Sequence, residues 1–317
     1  MILVTGGSGF VGRALCASLV KYSPLHISVR EKSKVELLAN AETFEASLSS
    51  HQNWLPALFG VSVVVHCAAR VHVMNEQATD PLFEFRRVNV DGTLNLARQA
   101  FEAGVRRFVF ISSIKVNGEF TELGHPFLAD QVPVPCHPYG FSKYEAEIGL
   151  KALSDETGME VVIIRSPLIY GPGVKANFLS MMNWLDRGIP LPLGGLTKNR
   201  RSFIFLDNLV DIIVTCINHP AAANQIFLVS DDEDLSTSGL LDRMALALGR
   251  PSKLIGVPPA LIIFGANLVG RADIAQRLCG SLQADIKKTK DLLGWSPPVS
   301  VDEGLRQTVV NFLKIQS

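Results

Sequence analysis

The sequence predicts an α/β fold, a doubly wound parallel sheet that carries a smaller, mainly helical C-terminal part. Two observations predict it: short strand-like segments alternate with helix-like segments over the first half, and a glycine-rich turn follows the first strand directly. A chain that alternates in this way returns each strand to the sheet in parallel and covers both faces with helices. The predicted strands lie near residues 2–5, 25–29, 42–46, 61–67, 107–112 and 160–165.

The turn after the first strand has the spacing of a dinucleotide site. Gly6, Gly9 and Gly12 form a Gly-x-x-Gly-x-x-Gly pattern that opens a helix. Glycine permits the tight turn, leaves room for a pyrophosphate and lets the helix pack close to the strand. The helix N-terminus then presents free amides and the positive end of its dipole to the phosphates. This Rossmann-type turn predicts cofactor contacts from Gly6, Gly9, Phe10, Val11 and Gly12.

The residues after the second strand indicate which dinucleotide binds. An acidic side chain at this place binds the free 2′-hydroxyl of NAD, whereas an arginine suits the 2′-phosphate of NADP. The chain has Arg30, Glu31 and Lys32 here. We therefore expect NADP(H), bound by Arg30 and Lys32, with NAD(H) as the alternative because Glu31 could bind the hydroxyl.

A long amphipathic helix is predicted over residues 82–103, and it carries Asn89. Its apolar side chains repeat at the helical period and would face the sheet. Gly104 ends it.

Ser113, Tyr139 and Lys143 predict the catalytic site. Residues four apart share a helix face, so that Tyr139 and Lys143 would point into one site. A phenol titrates near ~10, and a neighbouring ammonium lowers that pKa toward the range of general acid–base catalysis. Ser113 would hydrogen-bond the same substrate oxygen. The three residues therefore predict redox chemistry at an alcohol carbon, in which a proton moves on or off a sugar-type hydroxyl.

The 317 residues, of which 47% are hydrophobic and 19% charged, suit one large domain with a smaller partner. Proline and glycine interrupt the alternation of strands and helices after residue 165. A helix at 207–218 and a strand at 225–230 then rejoin the sheet. We predict a cofactor domain of residues 1–165 plus 203–230 and a substrate domain of residues 166–202 plus 231–317. Helices predicted for the last third lie at 238–248, 259–269, 286–293 and 301–313.

Charge and cysteine usage narrow the function class. Thirty basic and thirty acidic residues cancel, which argues against nucleic acid and a general membrane-surface role. The five cysteines are scattered without a Cys-x-x-Cys pair or a secretory leader, which predicts a cytoplasmic protein without a metal cluster. His66 follows an apolar run, and we expect it to pack at a strand end rather than to bind a metal.

The longest apolar stretch covers residues 254–270. It contains two prolines and is too short for a transmembrane span. We expect a buried helix, with a weak contact to a membrane surface or to a lipid-linked substrate as the alternative.

Six motifs in order give the chain a family resemblance. It resembles the extended short-chain dehydrogenases/reductases, and within them the NAD(P)-dependent epimerase/dehydratase group that acts on nucleotide sugars. The stretch at 112–118 is most similar to bacterial enzymes of surface-polysaccharide synthesis, both the UDP-N-acetylquinovosamine-forming 4-ketoreductases and the UDP-glucose 4-epimerase-like proteins. The motifs are Thr5–Gly12, His66–Ala69, Asn89–Thr93, Ser112–Ser113, Tyr139-x-x-x-Lys143 and Tyr170–Gly173.

The resemblance implies roles for matching residues. Tyr139 is the acid/base and also contacts the cofactor, Lys143 also holds the nicotinamide ribose, and Ser113 orients the substrate oxygen. The other implied cofactor neighbours are Ala68 and Ala69 after the fourth strand, Asn89 as the support of that strand end, and Pro167 beside the nicotinamide.

The implied substrate is a UDP-sugar. Asn177 opens the helix that meets the diphosphate in this group, and Arg201 resembles the arginine that binds it, while Arg277 is a weaker candidate for the same task. The group commonly has tyrosine where Asn117 stands, which would alter the sugar pocket. The resemblance also implies a homodimer that pairs helices 82–103 and 138–153.

Arg30 decides which reaction we expect, because it favours NADPH. A reductase takes one hydride from NADPH and releases the spent cofactor, whereas an epimerase keeps its cofactor bound. We expect reduction of the C4 ketone of a UDP-4-keto-6-deoxy-N-acetylhexosamine for O-antigen or a related lipopolysaccharide glycan. The alternative is an NAD-dependent 4-epimerase of a UDP-hexose or UDP-N-acetylhexosamine, which would use Tyr139 in both directions. A third reading is a non-catalytic protein that binds and senses the cofactor.

Overall fold

The computed structural model describes residues 1–31, 39–71, 79–268 and 270–316, with the backbone alone at 272–274 and 316. Seven strands form one parallel sheet in the order β3-β2-β1-β4-β5-β6-β9. The strands are β1 (Ile2–Thr5), β2 (Leu25–Val29), β3 (Ala41–Glu45), β4 (Val63–His66), β5 (Arg107–Ser113), β6 (Glu160–Ser166) and β9 (Ile226–Leu228). A separate parallel pair consists of β7 (Leu168–Tyr170) and β8 (Phe203–Phe205).

The helices cover both faces of the sheet and build the C-terminal part. The N-terminal helices are α1 (Phe10–Leu19), α2 (Leu55–Leu58), α3 (Pro81–Arg86), α4 (Gly92–Glu102) and α5 (Pro138–Thr157). The later ones are α6 (Ala176–Asp186), α7 (Leu206–Asn218), α8 (Thr237–Ala247), α9 (Pro259–Leu268), α10 (Ala272–Cys279), α11 (Lys287–Leu293) and α12 (Val301–Gln316).

Alternate residues of the strands enter two different cores. Val4 and Val65 pack in a cluster with residues of α1 and α7, whereas Leu3 and Val64 pack in a cluster with residues of α4 and α5. The central strands are buried on both faces and are rich in apolar residues, whereas β3 at the edge of the sheet has no buried residue. The Rossmann-type, doubly wound fold predicted from the sequence is confirmed.

The strand order places a binding crevice at the carboxyl ends of β1 and β4. The chain runs outward from β1 through β2 to β3, and then crosses back to β4 on the other side of β1. Ligands of open α/β sheets bind where the order reverses in this way. Thr5 pairs with Ser28 on one side and His66 on the other, so that the ends of all three strands meet there.

The helix predicted at 82–103 is interrupted. Residues Arg87–Asp91 form a π-helical segment between α3 and α4, and this segment carries Asn89. Such segments are rare and occur mostly at functional sites. Gly104 has a left-handed φ of 82° and ends α4, as predicted.

A third cluster lies beyond the sheet and joins α6, α8 and α12 to the β7–β8 pair. α9 differs from its prediction, because none of its described residues is buried. The predicted division at 1–165 plus 203–230 and 166–202 plus 231–317 stays a prediction.

Candidate active site

The glycine turn is closed so tightly that larger residues do not fit. Gly6 has a left-handed φ of 71°, and the Gly9 amide donates to the Gly6 carbonyl at 2.8 Å. A Cβ atom at Gly12 would lie 2.2 Å from the Gly6 oxygen. Gly9 begins α1 without a side-chain cap among the described residues, so the first amides of α1 are open to an anion.

The end of β4 packs directly on this turn. A Cβ at Gly6 would lie 2.9 Å from the Ala68 backbone, whose amide donates to Thr5 Oγ1 at 3.3 Å. Ala68 and Ala69 are both half-buried there. The turn and these alanines form a cradle that fits a dinucleotide pyrophosphate, with Phe10 and Val11 in the first turn of α1.

We expect Gly12→Ala to weaken NAD binding by at least about tenfold, because the new methyl group must displace the turn that faces the pyrophosphate. Titration of NAD by calorimetry measures this. Gly256→Ala is the control, since a Cβ there has no described atom within 4 Å. Equal NAD affinity in Gly12→Ala and the native protein would contradict the assignment of the turn.

His66 is a packed, neutral residue, as predicted. Its Nδ1 lies 2.7 Å from Thr5 Oγ1 and its Nε2 lies 2.9 Å from Thr93 Oγ1. Burial, and then the charge of Lys143, lower the pKa of His66 to about 3. The described residues contain no group of histidine, cysteine or acidic side chains that could hold a metal ion.

Arg30 lies exposed just past β2, and Glu31 beside it is exposed as well. Lys32 lies outside the described residues. The preference for NADP(H) stays a prediction.

The fold brings Ser113, Tyr139 and Lys143 together. Ser113 ends β5, where its Oγ accepts from the Lys115 amide at 3.2 Å, and a side-chain hydrogen bond joins it to Tyr139. Tyr139 lies half-buried in the first turn of α5, with its ring 6.0 Å from that of Phe85. The phenol oxygen and the Ser113 hydroxyl can therefore contact one substrate oxygen.

Lys143 lies beneath this pair, 2% exposed, with its Nζ 3.8 Å from the centre of the Phe110 ring. Burial lowers the pKa of Lys143 to about 7, although the charges of Glu147 and Cys67 raise it. Burial also raises the pKa of Tyr139 to about 12, and the hydrogen bond with Ser113 lowers it only in part. The lowered pKa that the sequence predicted for Tyr139 is therefore wrong, because burial raises this pKa by more than the hydrogen bond lowers it.

The pKa of Lys143 predicts a pH dependence of stability. The unfolded chain keeps this proton up to about pH 10.4, whereas the folded protein loses it near pH 7, so the free energy of unfolding rises between them. We expect Lys143→Met to remove a slope of up to about 1.4 kcal/mol per pH unit between roughly pH 7 and 9. Urea unfolding at several pH values tests this, and equal slopes in the two proteins would contradict it.

Asn89 connects the end of β4 to the catalytic helix. Its Oδ1 accepts from the Arg70 amide at 2.7 Å, and its Nδ2 donates to Ser142 Oγ at 3.0 Å. Ser142 Oγ in turn donates to the Tyr139 carbonyl at 2.8 Å. Asn89 thus supports the strand end, as the resemblance implied, and it also holds the first turn of α5.

A buried ion pair that the sequence did not reveal lies below Lys143. Arg165 on β6 donates to Glu147 on α5 at 2.6 Å, and both side chains are 2% exposed. Ser112 Oγ donates to the same carboxylate at 2.5 Å. Arg165 also donates to Asn117 Oδ1 at 3.1 Å.

Asn117 is 1% exposed and donates to the Leu128 carbonyl at 3.0 Å. It therefore belongs to this interior network, and its effect on the sugar pocket stays a prediction. Pro167 is buried directly after β6, whose last residue, Ser166, pairs with Ser113.

The two arginines proposed for the diphosphate lie together. Arg201 Nη1 donates to the Arg277 carbonyl at 2.8 Å and to the Gly280 carbonyl at 3.2 Å. Burial lowers the pKa of Arg201, and the charge of Arg277 lowers it further. Asn177 lies exposed in the first turn of α6.

Comparison with known sequences gives a family and a close relative. The profile of the NAD dependent epimerase/dehydratase family matches residues 2–230. A UDP-glucose 4-epimerase of Vibrio cholerae is 48% identical over 317 residues, which cover 99% of this chain and 95% of the relative. A UDP-glucose 4-epimerase of Mycolicibacterium smegmatis is 29% identical, with 98% and 97% covered.

Solved structures show the same fold. A UDP-glucose 4-epimerase of Thermotoga maritima with UDP-glucose superposes with a TM-score of 0.81 at 24% identity, with 100% of this chain and 99% of that chain covered. A UDP-glucuronic acid 4-epimerase of Bacillus cereus in complex with NAD gives 0.79 at 20% identity, with the same coverage.

Proposed function

Because this chain belongs to the NAD dependent epimerase/dehydratase family, we propose that it is an NAD-dependent 4-epimerase of a UDP-hexose or UDP-N-acetylhexosamine. The 48% identity to a UDP-glucose 4-epimerase over nearly the whole chain carries the proposal. The juxtaposition of Ser113, Tyr139 and Lys143 supports it, because epimerisation needs one proton carrier beside the reacting hydroxyl.

The cofactor's nicotinamide supplies hydride transfer at C4 of the sugar. The chain's residues manage the proton at the C4 oxygen: Tyr139 takes it when the alcohol is oxidised and returns it when the ketone is reduced. Lys143 is the cation that favours the phenolate in the first half, and Ser113 orients the oxygen through both halves. The cradle of Gly6, Gly9 and Gly12 would hold the pyrophosphate. Lys143 is 2% exposed, so its side of the site excludes water.

We propose that Arg201 and Arg277 bind the diphosphate of the UDP-sugar. The charge of Arg277 lowers the pKa of Arg201, so the two guanidinium groups lie close enough to attract one anionic group together. Asn177, which lies in the first turn of α6, is the proposed third contact.

We expect Arg201→Ala to raise KM for the UDP-sugar by at least about tenfold, since a charge-assisted hydrogen bond to phosphate contributes about 1.5–3 kcal/mol. NAD affinity should stay unchanged. Arg200→Ala is the matched control, because the Arg200 side chain also donates only to backbone carbonyls in the described structure. Full catalytic efficiency of Arg201→Ala would refute the diphosphate role.

The second candidate is the NADPH-dependent reduction of a UDP-4-keto-6-deoxy-N-acetylhexosamine. Arg30 favours it, because an exposed arginine after β2 suits a 2′-phosphate. The purified protein, incubated with UDP-glucose and UDP-N-acetylglucosamine without added reductant, should convert each to its C4 epimer. Consumption of NADPH with the 4-keto sugar, and no epimer without reductant, would replace the first proposal with the second.

We also propose a homodimer formed through the α3–α5 side of the sheet. Large apolar side chains are exposed on these helices, as a dimer interface requires: Phe83, Phe101, Phe141 and Ile148. Sedimentation of the native protein and of Ile148→Glu tests this, because the charged variant should be monomeric.

A further inference from the structure

α9 is an apolar helix that stands on the protein surface. Residues 254–270 contain no charged side chain. Leu261, Phe264 and Leu268 are 60%, 62% and 72% exposed, and their spacing of three and four residues places them on one outer stripe. Monomeric proteins rarely leave such a contiguous apolar surface uncovered.

The inner side of α9 is apolar as well. Ile262, Gly265 and Ala266 line a cavity of about 370 Å³ between α9 and the body of the protein. Trp184 and Ile189, 45% and 42% exposed, line the same cavity. A helix that is hydrophobic all round is normally surrounded by apolar material on every side.

Basic residues border this surface, and the one acidic residue between Trp184 and Ile189 is Asp186. The chain has no aspartate or glutamate between Asp242 and Asp273, whereas Lys253 and Arg271 are exposed just before and just after the apolar segment. Arg250 pairs with Asp186 at 3.2 Å. Because the Arg250–Asp186 pair is neutral, the positive charge of this rim comes from Lys253 and Arg271, and it complements an anionic partner.

We propose that the α9 patch, defined as Trp184, Ile189, Leu261, Phe264 and Leu268, docks into the surface of an anionic lipid bilayer. The ten residues of α9 span about 15 Å, half the hydrocarbon thickness, so α9 lies in the interface rather than across it. No described helix is long and apolar enough to span a membrane.

A bilayer fits this surface better than a second copy of the chain. A twofold contact through α9 would bring Lys253 and Arg271 of one copy toward the same residues of the other, and like charges oppose association. Lipids instead surround an inserted helix on several sides, and anionic headgroups attract the basic rim.

The test is co-sedimentation of the full chain with vesicles of phosphatidylcholine alone or with about one third phosphatidylglycerol. We expect the native protein to bind the anionic vesicles and to bind the neutral ones at least about fivefold more weakly. The double variant Leu261→Gln with Phe264→Gln should lose at least about tenfold in vesicle affinity, because two apolar side chains no longer enter the lipid. Lys253→Gln with Arg271→Gln should lose the preference for anionic vesicles.

The matched control is Leu55→Gln with Phe59→Gln, a leucine and a phenylalanine that are exposed at α2, elsewhere on the surface. It should bind vesicles like the native protein, and all variants should keep epimerisation of soluble UDP-sugars. Failure of the native protein to bind either vesicle, or undiminished binding by the Leu261/Phe264 variant, would overturn the proposal. A native oligomer that this variant dissociates would show that a second copy covers α9, and would overturn it too.

Discussion

Tyr139→Phe is expected to lower kcat for the UDP-sugar by at least about 10²-fold while NAD affinity stays within about twofold, because a positioned general acid–base contributes about 10²–10⁴-fold. The change removes only the phenol oxygen. The ring keeps its edge contact with Phe85, and the main chain of the first turn of α5 stays bound to Ser142. Initial rates with UDP-glucose and calorimetric titration of NAD measure the two effects.

Tyr144→Phe is the control, because Tyr144 lies half-buried on the same helix one residue after Lys143. It should retain native kcat. Native turnover by Tyr139→Phe would show that another group carries the proton, and loss of NAD binding would show that the tyrosine supports the cofactor site instead.

Glu147→Gln is expected to lower the free energy of unfolding by about 3–5 kcal/mol, because it leaves the Arg165 guanidinium buried without its counter-charge. Urea unfolding followed by circular dichroism measures this. The loss should exceed that of any exposed ion pair in the described structure, since exposed pairs contribute about 1 kcal/mol or less.

Glu145→Gln is the matched control on the same helix. Glu145 pairs with Arg86 at 2.5 Å, but the two side chains are 30% and 49% exposed, so its loss should cost less than about 1 kcal/mol. If Glu147→Gln unfolded at the same urea concentration as the native protein, the buried pair would contribute nothing to stability.

The sequence predicted the sheet and its crevice closely. The strands predicted at 2–5 and 25–29 have the same bounds as β1 and β2, because both strands are buried on both faces and are rich in apolar residues. The glycine spacing after β1 was sufficient to predict the tight turn, and the four-residue spacing of Tyr139 and Lys143 was sufficient to predict that they share a helix face. Both features depend on local geometry alone.

The features that were missed depend on three-dimensional surroundings. The π-helical segment at Arg87–Asp91 leaves the apolar periodicity of a helix almost unchanged, so a continuous helix was predicted. The pKa of Tyr139 follows from burial, which the sequence does not give. α9 was predicted to be buried because its sequence is apolar, but its described residues are not buried. Hydropathy indicates that a segment avoids water and does not indicate which surface covers it. Lys32 lies outside the described residues.

The ion pair of Glu147 and Arg165 constrains how this sequence can vary. Either residue changed alone leaves a lone charge in the interior, whereas replacement of both by apolar side chains removes the desolvation cost together with the attraction. A double-mutant cycle should therefore give strong coupling, with Glu147→Leu/Arg165→Met more stable than either single variant. In descendants of this protein the two positions should consequently change as a pair, because each single substitution lowers the free energy of unfolding.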